Sequence, residues 1–237
     1  QGLWCRGFRD SRQGRHQRLT LLVCTLAPLR PGAATSLRAS YSVEGGRVVY
    51  APNSHVEVVR DDPGWREPYI LIKVGEGVYG DAARHRDKNV TAVNRRAIPI
   101  PKRALGVRPV AELERYLLEV RPPSGGFLLA APLGQAGQFS KTRYGNAGGA
   151  FNVAYERAHG RRHGNLGAGS MRKSLTQWLL EARVDPLRIH DIGGWAISNT
   201  ILTKGNYARA TVHDLLEAKP DLPGHLIHIY PARPDRP

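Results

Sequence analysis

Three residues near the carboxyl end have the types and order that metal-free cleavage of a DNA phosphodiester needs. Arg172 lies at the start of an amphipathic stretch, Trp195 follows two glycines, and Tyr207 stands alone in the sequence Lys-Gly-Asn-Tyr-Ala-Arg. A guanidinium binds phosphate oxygens as they gain charge, and an indole N–H can donate to one of them. A phenol with a pKa of about 10 can attack phosphorus once cations and a base help to remove its proton. This order predicts strand cleavage by a tyrosine.

The chain around these residues resembles the second catalytic box of the tyrosine recombinases, the phage-type integrases. The likeness is carried by residues 174–209, in which Leu-Leu-Glu-Ala-Arg-Val-Asp-Pro at 179–186 leads into Ile-Gly-Gly-Trp at 192–195. In all, it extends over about residues 18–213. The resemblance implies a catalytic domain of that family.

The resemblance assigns two arginines to the phosphate. Leu-Arg-Pro-Gly-Ala-Ala at 29–34 looks like the first catalytic box, which puts one phosphate-binding arginine at Arg30 and the other at Arg172. Fixed guanidinium forks bind phosphate oxygens bidentately. Arg38 is the competitor for the first position. The family commonly has an acidic residue three places after the first arginine, where this chain has Ala33.

A lysine in a β-hairpin is also implied, because the family uses one to protonate the departing 5′ oxygen. Lys88, in the glycine- and charge-rich residues 75–94, is the preferred candidate. Lys73, on the strand before this segment, is the reserve. The segment itself is expected to be a long hairpin tip exposed to solvent or ligand.

The second box departs from the family at one position. The family expects a histidine three places before Arg172, where Gly169 stands, and His163 and Lys173 are the nearby residues left open as replacements. Trp195 takes the place that the family fills with histidine or tryptophan. Its N–H can donate a hydrogen bond but does not shuttle a proton at neutral pH.

The function implied by the resemblance is site-specific DNA recombination or integration. Tyr207 would form a 3′-phosphotyrosyl link and release a 5′ hydroxyl that attacks a partner strand. The link conserves the bond energy, so neither metal nor another cofactor is expected. The expected assembly is a homotetramer on two synapsed double-stranded DNA molecules.

Three alternatives stay open at this stage. A catalytically impaired, recombinase-derived DNA-binding protein is favoured by Ala33 and Gly169. A type IB topoisomerase-like enzyme shares the tyrosine and arginine chemistry. A basic RNA-binding protein is the third, although an aromatic content of 7% gives no clustered stacking platform.

Charge and composition fit a nucleic-acid partner. The 35 lysines and arginines exceed the 20 acidic residues and give a net charge of +15, spread along the chain. Such a field attracts a polyanion. No apolar run approaches the ~18 residues of a membrane span, and the two cysteines, Cys5 and Cys24, give no zinc-binding pattern. We expect a cytoplasmic, nucleoid-associated protein without membrane contact.

The pattern of apolar residues predicts the elements that position these side chains. A helix is expected from Arg18, further helices from Pro109 and over 149–159, and another through Leu175 and Trp178. Strands are expected at 47–51, 55–59, 69–74 and 96–100. The expected fold class is α+β: a mainly helical, tyrosine-recombinase-like catalytic domain with a small antiparallel β-sheet.

Three regions are expected along the chain. Residues 1–17 are interpreted as a basic linker or arm, residues 18–213 as the catalytic domain, and residues 214–237 as a carboxyl-terminal tail that begins with a short helix.

Overall fold

The computed structural model describes residues 8–27, 29, 31–74, 96–104, 106–134, 137–142, 144–161, 168–181, 183–184 and 189. The helices of this part of the chain are α1 (Arg12–Leu26), α2 (Pro31–Ala34), α3 (Pro109–Glu119), α4 (Tyr144–His159) and α5 (Ala168–Glu181). Its strands are β1 (Tyr41–Glu44), β2 (Arg47–Tyr50), β3 (Val56–Val59), β4 (Tyr69–Val74), β5 (Arg96–Pro101), β6 (Ala130–Pro132) and β7 (Phe139–Lys141). The mixed α+β class expected from the sequence is confirmed.

Helix α1 is the central element of the core. Ser11 caps its first turn, since the Ser11 Oγ accepts a hydrogen bond from the Gly14 N–H at 3.1 Å. Residues 19–26 are all buried, and a helix that is buried on all sides needs partners all round. It contacts α3, α4, α5 and β6. The expected start at Arg18 is wrong, because the polar first turns from Arg12 carry no apolar periodicity.

The sheet formed by β3, β4 and β5 is antiparallel and packs one face on α3. Its register places Val56, Ile72 and Ile98 in one row and Ile70 and Ile100 in the next. All five are buried, which fixes this face toward the core. The strand predictions at 69–74, 55–59 and 96–100 are confirmed to within a residue or two.

Strands β1 and β2 form a separate hairpin. Glu44 pairs with Arg47, so Gly45 and Gly46 are the whole loop, with φ values of 55° and 78°. Two consecutive residues with positive φ are typical of the tight turn that matches strand twist, and glycine adopts them without strain. The predicted strand at 47–51 is confirmed to within a residue as β2, whereas β1 was not predicted.

Helix α3 begins at Pro109, as predicted, and ends at Glu119. Proline suits the first helical turn because an N–H at that position would have no acceptor within the helix, so its absence costs nothing. Helix α4 begins at Tyr144, five residues before the predicted position, because Gly145, Gly148 and Gly149 obscure its apolar pattern. The short strands β6 and β7 were not predicted.

Two expected segments fall outside the described residues. They are the hairpin tip at 75–94 and the tail at 214–237. The division of the chain into an arm, a catalytic domain and a tail stays a prediction.

Candidate functional site

Most of the predicted catalytic residues lie outside the described residues. Arg30, Lys88, Trp195 and Tyr207 belong to this group, as does His163. Arg172 is described by its backbone alone, within α5, and Gly169 lies in the first turn of the same helix. The described part therefore shows chain segments that adjoin some of the expected site residues in sequence, and not the reacting groups.

The fold brings together the two chain segments that carry the expected arginines. Helix α1 leads to Leu29, the residue before Arg30, and Leu29 is buried. Helix α5 packs directly on α1, where the Thr25 Oγ lies 3.3 Å from the Sδ of Met171, the residue before Arg172. The backbone positions next to both arginines are therefore anchored in one core.

Ala33 stands where the resemblance would place an acidic residue, and its surroundings suit an alanine. It lies in α2 and is 2% exposed, among the core residues. A carboxylate buried in apolar surroundings is costly unless a charged or hydrogen-bonding group pairs with it. Alanine instead lets α2 pack closely on α1 and α4.

Three arginines on α1 form hydrogen bonds or ion pairs with other parts of the same protein. The Arg12 Nη2 donates to the Val120 carbonyl at 2.8 Å, and its guanidinium lies over the Phe139 ring. Arg15 pairs with Asp10 and Glu119, and Arg18 pairs with Glu112 at 3.2 Å. Glu112 and Glu119 belong to α3, so these arginines join α1 to α3. The charges of Arg15 and Arg18 are therefore paired with carboxylates, whereas Arg12 contacts a carbonyl and a ring.

The two reserve residues, Arg38 and Lys73, are described with their side chains. The Arg38 guanidinium lies 5.2 Å from the centre of the Phe127 ring, a cation–π distance. The Lys73 Nζ lies 2.9 Å from a Glu57 carboxylate oxygen, and its side chain is 40% exposed. Both are partly exposed, whereas the residues on either side of each are buried.

Sequence reasoning missed His55, which lies between these two residues. Its Nδ1 accepts a hydrogen bond from the Arg38 backbone N–H at 3.1 Å, so a neutral ring carries its proton on Nε2. Burial, followed by the positive charge of Arg38, lowers the pKa of His55 below its usual value. The ring is therefore a neutral N–H donor at physiological pH. No spacing in the sequence identifies it, because the contact depends on chain pairing.

His16 is a second histidine that the sequence did not single out. It is 4% exposed, and its Nε2 lies 2.8 Å from the Thr142 Oγ. The Thr142 hydroxyl donates to the Leu129 carbonyl, so it accepts from the His16 Nε2–H. Burial lowers the pKa of His16 to about 4. This neutral imidazole joins α1 to the chain beside β6 and β7.

The described residues contain no group of three or more histidine, cysteine, aspartate or glutamate side chains placed to hold a metal ion. Cys24 is a buried free thiol in α1, and burial raises its pKa to about 12. Among the described helices, none is both long and apolar enough to cross a membrane.

Comparison with known proteins yields no relative for this chain: no protein-family model, no curated protein and no solved structure matches it. The resemblance to the tyrosine recombinases therefore depends on the residues of this sequence alone.

Proposed function

We propose that the chain is the catalytic domain of a DNA tyrosine recombinase. In this proposal the Tyr207 oxygen attacks the scissile phosphorus, and the bond from phosphorus to the 5′ oxygen breaks. The products are a 3′-phosphotyrosyl link and a 5′ hydroxyl, which can attack the equivalent link on a partner strand. The active assembly is a tetramer on two duplexes.

The other site residues have separate roles in the same step. Arg30 and Arg172 bind the non-bridging oxygens, whose negative charge grows in the transition state. Trp195 donates its indole N–H to one of these oxygens. Lys88 gives a proton to the departing 5′ oxygen, which would otherwise leave as an alkoxide.

The observation that carries the proposal is the packing of α5 on α1. It anchors Met171 beside Arg172 and Leu29 beside Arg30 in one core. Two guanidinium groups can act on one phosphate only if the elements that carry them are held together. A net charge of +15 on 237 residues further supports a polyanionic substrate.

Covalent trapping on nicked duplexes tests this proposal. Cleavage close to a nick lets the short 5′-hydroxyl fragment diffuse away, so the protein stays attached to the DNA. A library of such duplexes with random sequence removes the need to know the target site. We expect adducts that survive denaturation in the unaltered protein and disappear in Tyr207→Phe.

A matched control uses a tyrosine elsewhere in the same domain. Tyr155 lies in α4, partly exposed and stacked near His159. Tyr155→Phe removes one phenol hydroxyl, as Tyr207→Phe does, and should leave the adduct yield unchanged. Adducts that persist in Tyr207→Phe would contradict the assignment of the nucleophile.

A DNA-binding protein without cleavage activity is the second candidate. It is favoured by Gly169, which brings no side chain to the first turn of α5, where the family has a histidine. Salt-sensitive binding to duplex DNA without any adduct, at every duplex in the library, would select this candidate.

A further inference from the structure

Arg38, His55 and Lys73 form a row across three neighbouring segments of the chain, which we call the basic row. The His55 N–H donates to the Arg38 carbonyl at 3.1 Å, and the Lys73 N–H donates to the His55 carbonyl at 2.8 Å. Phe127 pairs with Arg38 at one end, and Ala97 of β5 pairs with Lys73 at the other. Backbone hydrogen bonds thus place the three basic residues side by side.

The side chains of the basic row point away from the core. Each lies between two buried residues: Leu37 and Ala39 flank Arg38, Ser54 and Val56 flank His55, and Ile72 and Val74 flank Lys73. The three residues of the row are themselves partly exposed. Successive residues of an extended chain point to opposite faces, so the row lies on the face opposite the core.

Each member of the row can interact with an anion in a different way. The Arg38 guanidinium is held over Phe127 and is always charged. The hydrogen bond at the His55 Nδ1 leaves Nε2–H as a neutral donor. Lys73 is a point charge whose partner, Glu57, is 24% exposed on the same face. The Lys73 ammonium has three N–H donors, so it can bind a phosphate oxygen as well, although the negative charge of Glu57 competes for the same group.

We infer that the basic row binds the phosphodiester backbone of duplex DNA outside the reacting phosphate. Neighbouring extended segments are about 4.8 Å apart, so the row is about 10 Å long. One DNA strand presents a charge every ~3.4 Å along the helix axis, so a row of this length can contact more than one phosphate. The inference deepens the proposed function, and it rests on that function only for the choice of DNA as the polyanion.

The test is the salt dependence of duplex binding without cleavage. The logarithm of the binding constant falls with the logarithm of salt concentration, with a slope of about −0.9 for each phosphate neutralised. Binding of one labelled duplex is measured from low to moderate salt for the unaltered protein and for Arg38→Gln, Lys73→Gln and the double variant. We expect each single substitution to reduce the slope by about 1 and the double substitution by about 2.

The chain offers close controls for both substitutions. Lys102 is 39% exposed and lies 3.5 Å from a Glu67 oxygen, so it matches Lys73 in exposure and in having an acidic partner. Arg115 is an exposed arginine of α3 that pairs with Glu119. Lys102→Gln and Arg115→Gln remove the same charges away from the row. They should lower affinity slightly through net charge and leave the slope nearly unchanged.

One further variant is expected to act in the opposite direction. Glu57→Gln removes the acid that competes with DNA for Lys73. We expect it to tighten duplex binding severalfold at low salt, and Lys73→Gln should abolish this gain. Thermal unfolding of every variant, measured in parallel, checks that the comparisons are between folded proteins.

The outcomes separate this inference from the proposed function. If the row variants have the same slope as the Lys102 and Arg115 controls, or if the unaltered protein shows no salt-dependent duplex binding, the inference is overturned. Covalent trapping is scored separately on the same samples. Loss of slope in the row variants without any Tyr207-dependent adduct would support the basic row and reject the recombinase proposal.

Discussion

At the scale of single residues, His16 shows how this fold uses a titratable group for packing. Its Nε2–H donates to Thr142, and in the described part of the chain its Nδ1 has no hydrogen-bond partner. A charged ring would add a buried proton at Nδ1, close to the Tyr116 ring and without an acceptor. The neutral form is therefore the one that the folded protein accommodates.

This burial predicts a pH dependence of stability. His16 has a pKa of about 4 in the folded protein and 6.5 when exposed. Between these values the unfolded chain binds a proton that the folded chain does not, so stability falls as pH falls from 6.5 toward 4. The total loss from this one group is about 3 kcal/mol.

Urea unfolding of the unaltered protein and of His16→Gln, from pH 7 to pH 4.5, measures this contribution. The variant should be less stable at pH 7, because it loses the hydrogen bond to Thr142, and it should lose less stability on acidification. The difference between the two proteins isolates His16 from the carboxylates that titrate in the same range. Parallel curves for the two proteins would contradict this role.

At the scale of elements, ion pairs and apolar packing together fix α1. Arg18 of α1 and Glu112 of α3 are 3.2 Å apart, and both side chains are 20% exposed. Such a partly buried pair is less screened by water than a surface pair. We expect a double-mutant cycle with Arg18→Gln and Glu112→Gln to give a coupling of about 1 kcal/mol. A coupling of zero would mean that Arg18 acts through other contacts, such as the Phe8 ring, whose centre lies 5.8 Å from its guanidinium.

The contact between α1 and α5 has an expected consequence for cleavage. Met171 is 6% exposed, and truncation of a buried methionine to alanine costs about 2–5 kcal/mol. We expect Met171→Ala to destabilise the protein and also to lower adduct yield at least tenfold, because Arg172 follows it directly. Leu113→Ala in α3 is the control, since Leu113 is also buried but lies outside this contact.

Both variants are assayed at a temperature where urea unfolding shows them to be folded. Equal adduct yields from the two variants would mean that the contact stabilises the fold without positioning the arginine.

The sequence predicted helices and strands correctly where the residue pattern of the segment was strong. Pro109 and the apolar residues at three and four spacing identified α3, and a run of mostly apolar, β-branched or aromatic residues identified β4. The start of α1 was missed because its polar first turns carry no apolar periodicity, and the partners that Arg12, Arg15 and Arg18 find on or just after α3 are distant in sequence. The basic row was missed because it depends on the pairing of segments that are distant in sequence.

At the scale of the whole molecule, the net charge of the chain is not the same as the charge that a ligand can contact. The chain carries +15, yet Arg15 and Arg18 of α1 pair with carboxylates of α3, and Arg12 donates to a backbone carbonyl, so these three guanidinium groups are engaged within the fold. The basic row lies on the opposite side of the sheet from the core, where its side chains can meet a ligand. Affinity for DNA should therefore respond to substitutions in the basic row more strongly than to equal changes in net charge elsewhere.

The identity of the residue that links the protein to DNA tests the recombinase proposal most directly. Adducts formed on nicked duplexes are digested with nuclease and trypsin, and the peptides are sequenced by mass spectrometry. Cleavage after Lys204 and Arg209 releases Gly-Asn-Tyr-Ala-Arg, and we expect the nucleotide remnant on Tyr207 of this peptide. A remnant on another residue, or salt-sensitive binding with no modified peptide, would contradict the proposal.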